Sequence, residues 1–518
     1  MTIQSLLEAR LREALPAEAA SKAQITAATD PRFGDYQSNT AMQLAKERKT
    51  NPRQVATEIR EALAVDDLCE AVEIAGAGFL NFRLRPEVLA RHTLAALGDE
   101  RLGVPGAEQP LRIVLDFSSP NVAKPMHVGH IRSTILGDTL CRIARFLGHE
   151  VITDNHLGDW GTQFGKVIYG YKHFRDDDAL EASPINELVR LYKEANAAAE
   201  ADPAVLNACR EELVRLQAGD AENRAIWEKT VALSWQEFET MYRALGITFD
   251  EHLGESFYND RLAPLVDRLL EQGIAEVSEG AVCVFFRDNP ALADKPCLIR
   301  KSDGGFLYAT TDLATIEYRA ERWQPDAVWY VVGAPQALHF EQVFTVARKM
   351  GVPGTRVHIP FGSILGEDRK LMKTRSGENV QLRDVLVEAE ERARRIVEEK
   401  NADLPEDEKA RIARAIGIGA VKYAELSQFR MTDYVFSWEK MLSFQGNTAP
   451  YLQNAHVRIR SIFRKLETPF TLPEKVRLEA PEERALARKL LQFGETVPTV
   501  LDDFRPNILA NYLYELAD

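Results

Sequence analysis

The stretch RIVLDFSSPNVAKPMHVGHIRSTILGD, residues 112–138, decides how the chain is read. Its apolar run Ile113-Val114-Leu115 reads as a buried strand, and Ser118-Ser119-Pro120-Asn121 as a turn. Ile131, Ile135 and Leu136 then recur at near-helical spacing. His127, Gly129 and His130 fall at the strand-to-helix junction. There the first backbone N–H groups of the helix lack partners, and the positive end of the helix dipole favours phosphate. Two imidazoles three residues apart share nearly the same side of that first turn. Gly129 removes a side chain between them, so a flat ligand such as a purine can lie against backbone. The tetrapeptide alone is a weak signal. With a strand before it, a helix after it, and Asp116 and Lys124 beside it, it fits a nucleotide site at the carboxyl end of a parallel strand.

The 518 residues leave room for about three or four domains. No uninterrupted apolar run approaches ~18 residues, so no transmembrane helix is expected. The amino terminus carries acids in an amphipathic pattern, unlike a secretory signal. Five scattered cysteines, with no C-x-x-C pair, argue for a reducing compartment, with cytoplasm the expectation, and against a disulfide framework or structural zinc. The net charge of −14 argues against a general nucleic-acid coat protein but leaves room for a local basic face.

Residues 1–105 read as a small α+β module. It has helices around Leu6–Leu15 and after Asn51-Pro52, a Phe33-Gly34-Asp35-Tyr36 turn, and a hairpin over residues 72–84. From 106 to 380 strand and helix alternate, which predicts an α/β, doubly wound parallel sheet. After the second strand, from about His149, the segment DNHLGDWGTQFG (154–165) reads equally as a ligand loop or as structural turns. Residues 183–245 suggest a helical insertion in which Trp227 and Trp235 are core residues. Residues 281–312 read as strands joined by an Asp303-Gly304 turn, with a helix from about Leu313. Residues 367–377 hold Arg369, Lys370, Lys373 and Arg375 against two acids, either a solvated charged loop or a lid whose cations meet polyphosphate. From 381 to 518 the pattern is that of a helical bundle, interrupted by turns such as 444–447. The helix bearing Tyr451, Gln453, His456, Arg458 and Arg460 suits RNA contact, with a solvated face as the alternative.

Taken together and in this order, PNVAKPMHVGHIRST (120–134), GDWGTQFG, MKTRSG (372–377) and GNTAPYLQNAHVRIRSIFR resemble the class I aminoacyl-tRNA synthetases, and within them the arginyl-tRNA synthetase family. The first is similar to the class HIGH signature, the third to its KMSKS loop with Arg375 where the second lysine is expected. The resemblance implies a Rossmann-like catalytic domain between an amino-terminal tRNA-binding module and a carboxyl-terminal anticodon-binding bundle, the bundle expected to be incomplete at its end. It implies L-arginine, arginine tRNA and ATP with Mg2+ as substrates, no permanently bound cofactor or protein-held metal, no membrane, and a monomer. His127, His130, Lys124, Lys373 and Arg375 would be catalytic, Lys124 standing in for the missing lysine. Pro120, Asn121, His127, Gly129, His130, Met372 and Lys373 would bind ATP. Asp116, Ser118, Asn121, Tyr308, Asp312 and Gln336 would bind arginine, the alternative for Asp312 being a helix cap. Phe79, Asn81, Tyr451 and Arg458 would meet tRNA, which the family generally needs bound before arginine is activated. Two other readings remain: a superfamily nucleotidyltransferase that charges no tRNA, and a non-catalytic tRNA-binding relative. The long helical carboxyl-terminal part speaks against the first, intact His127, His130 and Lys373 against the second.

Overall fold

Four parallel strands lie in the spatial order Thr355–Ile359, Ala327–Val331, Arg112–Phe117, Glu150–Asp154. The computed structural model describes residues 2–373, 380–466, 468 and 470–518. The chain begins the sheet at Arg112–Phe117, adds Glu150–Asp154 on one side, and then builds out on the other. The order therefore reverses between Arg112–Phe117 and Ala327–Val331, where connections diverge and a crevice opens at the carboxyl ends. Burial on both faces explains why these strands read as continuous apolar runs: Ile113–Phe117 and Ala327–Val331 are buried throughout.

The sheet belongs to one compact unit, residues 109–453. Helices Leu382–Lys400 and Glu406–Leu426 lie in this unit, so it extends past the expected boundary at 381. Buried Arg132, on the helix Val128–Phe146, donates to Glu425 at 2.7 Å and ties the second of them to the helix beside the sheet. The insertion contains Asp177–Ala182, Pro184–Ala201, Pro203–Gln217 and Ala221–Leu245. Residues 276–300 differ from the expected strand pair around Asp303-Gly304. Glu276–Ser278, Ala281–Val284 and Cys297–Arg300 form a separate antiparallel sheet. The Asp303-Gly304 turn makes only the isolated bridge Arg300–Phe306 before the helix Tyr308–Trp323 begins. That helix starts five residues earlier than expected and is capped at Leu307, which removes the cap reading for Asp312.

The other unit combines residues 1–108 with 454–518. Its antiparallel sheet runs Thr26–Ala27, Tyr36–Ser38, Phe79–Leu84, Cys69–Ala75, and the last two form the expected hairpin. Pro481–Asp502 packs on this module: Tyr36 donates to Glu495 at 2.7 Å, and Arg488 pairs with Asp35 at 3.1 Å. No helix among the described residues is long and apolar enough to cross a membrane.

One buried cation ties helix Tyr308–Trp323 to the parallel sheet. Tyr330, Asp116 and Asp154 are register partners across three strands. Arg319 donates to Asp116 at 2.6 Å and to Asp154 at 2.8 Å, with its guanidinium 5.4 Å from the Tyr330 ring centroid. Burial works against its charge, but the two carboxylates outweigh it and hold its pKa well above the ordinary value. Arg319→Met would strand both carboxylates, and we expect a loss of about 3–5 kcal/mol in urea unfolding. A loss under about 1 kcal/mol, the scale of an ordinary exposed pair, would show that the clamp is not structural.

Candidate active site

Two imidazoles start the helix Val128–Phe146. His127 is the N-cap: its Nδ1 accepts the Gly129 N–H at 3.1 Å, while His130 Nδ1 accepts the His127 N–H at 3.0 Å. This is a capping box built from histidines. With both Nδ1 atoms accepting, each neutral ring carries its proton on Nε2 as a donor. Burial lowers the pKa of both, that of His130 to about 3, where the His127 ring, its centroid 4.0 Å away, adds to the lowering. A Cβ at Gly129 would come within 2.9 Å of His127 Cε1 and Nδ1, so glycine is needed first by the imidazole that caps the helix.

His127, Val128, Gly129 and Arg132 line one wall of a cleft at the point where the strand order reverses. Gly333 and Pro335 follow the strand Ala327–Val331, and residues 361–364 with Leu371 and Met372 complete it. The basic segment is rooted here. Ile364–Leu365 pairs with Tyr434–Val435, Val128 N–H donates to Val380 O at 2.8 Å, and Leu382 N–H donates to Met126 O at 2.8 Å. Lys373 is exposed beside the cleft residue Met372; Arg375 lies outside the described residues.

The strap between strand and helix holds Pro120, Asn121 and Lys124. Gly158 packs against Asn121: a Cβ there would lie 2.2 Å from Asn121 Oδ1, and Gly158 N–H donates to Pro120 O at 3.1 Å. Lys124 is exposed, lies 5.6 Å from the Tyr192 ring centroid, and its charge adds to the lowering at His127. Two expected arginine readers are engaged by the chain itself. Ser118 Oγ lies 2.8 Å from the Tyr242 hydroxyl and accepts from Thr134 Oγ1 at 2.9 Å. Asp116 accepts Arg319 on one oxygen and Ser119 Oγ, at 3.0 Å, on the other.

A second set of polar groups does gather. Tyr308 and Asp312 stand one turn apart on the helix Tyr308–Trp323, and Gln336 is exposed just before Ala337–Lys349. Asp312 is bonded to His339 at 2.5 Å; burial disfavours the charged ring, but this carboxylate prevails and raises its pKa. Glu255, which the sequence reading missed, joins them. Its carboxyl is pushed up from 4.5 to about 8, by burial first and then by Asp312 and Asp159. Among the described residues no lysine or arginine pairs with Glu255 or Asp312. Asp159, from the GDWG segment, shapes the Glu255 turn by accepting Ser256 N–H at 2.8 Å and Ser256 Oγ at 2.6 Å. No pattern around Glu255 marks it in one sequence; its meaning comes from Asp312.

The expected RNA-facing residues are placed variously. Arg458 is exposed, Tyr451 and Phe79 are half-buried, and Asn81 is buried in the hairpin between Gln37 and Glu73. Among the described residues no group of three or more His, Cys, Asp or Glu side chains is placed to hold a metal ion.

Comparison with known proteins places this sheet and cleft in a class I aminoacyl-tRNA synthetase catalytic domain. Residues 93–438 match the family described as tRNA synthetases class I (R), catalytic domain. Residues 1–84 match the arginyl tRNA synthetase N terminal domain, and 452–518 the DALR anticodon binding domain. The arginine–tRNA ligase of Thermobifida fusca is 47% identical over 94% of this chain and 87% of its own. That of Chromobacterium violaceum is 43% identical over 100% and 91%. The crystal structure of arginyl-tRNA synthetase from Plasmodium falciparum superposes with a TM-score of 0.83 at 28% identity, covering 100% of this chain and 91% of that one. The chain belongs to the arginyl-tRNA synthetase family.

Gly129→Ala tests the histidine cap. The added methyl displaces the His127 ring, and we expect at least a tenfold fall in the rate of adenylate formation. The helix would otherwise keep its length, so far-ultraviolet dichroism should barely move. Unchanged turnover would mean the ring's position is immaterial.

Proposed function

We propose that the cleft at the strand-order reversal carries out the adenylation step of arginine–tRNA ligation, with the Glu255–Asp312 pair reading the substrate side chain. Arginine–tRNA ligation is the activity of the family to which the chain belongs, and ATP is a substrate. The arginine carboxylate attacks the α-phosphorus of ATP in line and pyrophosphate leaves. The nucleophile is already ionised, so no general base is needed, and catalysis rests on positioning and charge stabilisation. His127 and His130, as neutral Nε2–H donors, meet the phosphates, while Lys124, Lys373 and Arg375 offset the charge that develops there. Gly129 and Met372 border the nucleotide. Mg2+ would come with ATP and offset charge on its phosphates, since no group of acids or imidazoles among the described residues is placed to hold it. The arginyl group then passes to the terminal ribose of arginine tRNA, with the exposed face bearing Arg458 as one RNA contact.

One observation carries the arginine reading. Burial first, and then the charges of Asp312 and Asp159, raise the Glu255 carboxyl to about 8, and no lysine or arginine pairs with Glu255 or Asp312 among the described residues. A planar guanidinium with five donors is the side chain that suits two such carboxylates. Tyr308 feels the charge of Glu255, and Asp116 holds the helix that carries Asp312 through Arg319. The five cysteines are free and buried, which supports the cytoplasm as the compartment.

ATP–pyrophosphate exchange with each amino acid, with and without unfractionated tRNA, is the direct test. Arginine-dependent exchange that requires tRNA is expected; exchange with another amino acid would discard the pocket assignment. Glu255 gives a second handle. The unfolded chain ionises this group near 4.5 and the folded one near 8, so between those values the folded form keeps a proton the unfolded form has lost. Stability contributed by that proton is therefore lost as pH rises through the window. Glu255→Gln should match the parent melting temperature at pH 5, exceed it at pH 8.5, and raise the arginine KM at least tenfold. The parent's own arginine KM should fall from pH 6.5 to 8.5 as the carboxylate forms. An unchanged KM in the variant would remove Glu255 from the pocket.

A further inference from the structure

The strap that carries Asn121 and Lys124 is a strained piece of backbone. Three of its residues with L side chains sit in the left-handed region: Ser118 at φ 73°, Ser119 at 47° and Ala123 at 61°. Such conformations persist only where their surroundings over-determine them. All three are held, directly or through one intermediary, by the helix Ala221–Leu245 of the insertion. The Tyr242 hydroxyl lies 2.8 Å from Ser118 Oγ. It also accepts Asn155 Nδ2–H at 2.9 Å, and Asn155 Oδ1 in turn accepts the Ser119 N–H at 3.0 Å. Two helical turns earlier, Ser234 Oγ accepts the Ala123 N–H at 3.0 Å. Tyr242, Asn155, Ser234 and Ser118 are all buried, so water does not substitute for these bonds.

We infer that the insertion acts as the rear brace of the adenylation site, with Tyr242 and Ser234 as positioning residues that set where Asn121 and Lys124 stand. The inference rests on the proposed reading of the strap as part of that site. Tyr242 is buried, and its hydroxyl is engaged by Ser118 and Asn155. Its ring packs on Phe249, with centroids 4.9 Å apart, and that packing survives loss of the hydroxyl. Tyr242→Phe therefore removes the brace and leaves the apolar contact. Ser234→Ala releases the third strained residue without touching the first two.

The test is pre-steady-state pyrophosphate release by the full chain with saturating arginine, ATP and unfractionated tRNA, read as burst amplitude and rate constant. A displacement of about an ångström at a reacting group is enough for a large loss of rate, so a tenfold or greater fall in the rate constant is expected for Tyr242→Phe. A smaller fall in the same sense is expected for Ser234→Ala, with both amplitudes at the parental value. A reduced amplitude with a parental rate constant would mean fewer folded molecules and a merely structural role, and would overturn the proposal. Parental values for both variants would also overturn it. His127→Ala in the same assay keeps the two ideas apart: if it alone retains the parental rate constant, the site reading fails. If it slows release while both brace variants do not, the brace fails by itself.

Discussion

A guanidinium with no exposed surface, shared by two carboxylates from adjacent strands, fixes the geometry on which the site depends. Removing Arg319 and its partners from water is costly, and their attraction repays this only because the contacts are close. In return the helix Tyr308–Trp323 is indexed to the sheet. Asp312 lies seven residues before Arg319, two turns back on the same face, and Tyr308 one turn further. The position of Asp312 is therefore inherited from a buried salt bridge two turns away. The unit thus holds two pairs of carboxylates: Asp116 and Asp154 take an arginine of the chain, whereas Glu255 and Asp312 take none among the described residues.

The second pair explains why the pocket is supported so heavily. Acids brought together with no lysine or arginine paired to them among the described residues repel each other and resist burial, so the surrounding structure must hold them in place. Asp159 fixes the Glu255 turn through Ser256, and His339 holds Asp312. The GDWG segment, readable as either a ligand loop or a set of turns, serves as scaffold on both sides: Gly158 against Asn121, Asp159 under Glu255.

The sequence was most legible where local chemistry and fold coincide. The strand, turn and helix of residues 112–138, the hairpin of 72–84 and the helical insertion all follow from periodicity and turn residues. What stayed hidden depends on distance along the chain. Nothing near Asp116 announces that a residue 203 positions later pairs with it. Glu255 is one acid in a short turn, without periodicity to mark it. The helix from Tyr308 was read as starting later because Phe306, Leu307, Tyr308, Thr310 and Thr311 suit a strand as well, and the tertiary context overrides that preference. The union of residues 1–108 with 454–518 rests on contacts such as Tyr36 with Glu495, which no local window contains.

Helices usually begin on serine, threonine, asparagine or aspartate, because a short oxygen-bearing side chain caps with little loss of freedom. Here the duty falls to His127 and His130, the groups proposed to meet the phosphates. Folding and chemistry therefore draw on the same two rings, Nδ1 for the cap and Nε2 for the proposed phosphate contact. Selection for solubility or heat resistance alone would drift toward an ordinary cap at 127 and a better helix former at 129, and would discard the reaction while improving the scaffold. Directed evolution of this chain would need to screen turnover at every round, since changes of this kind fall on the turn proposed to be catalytic.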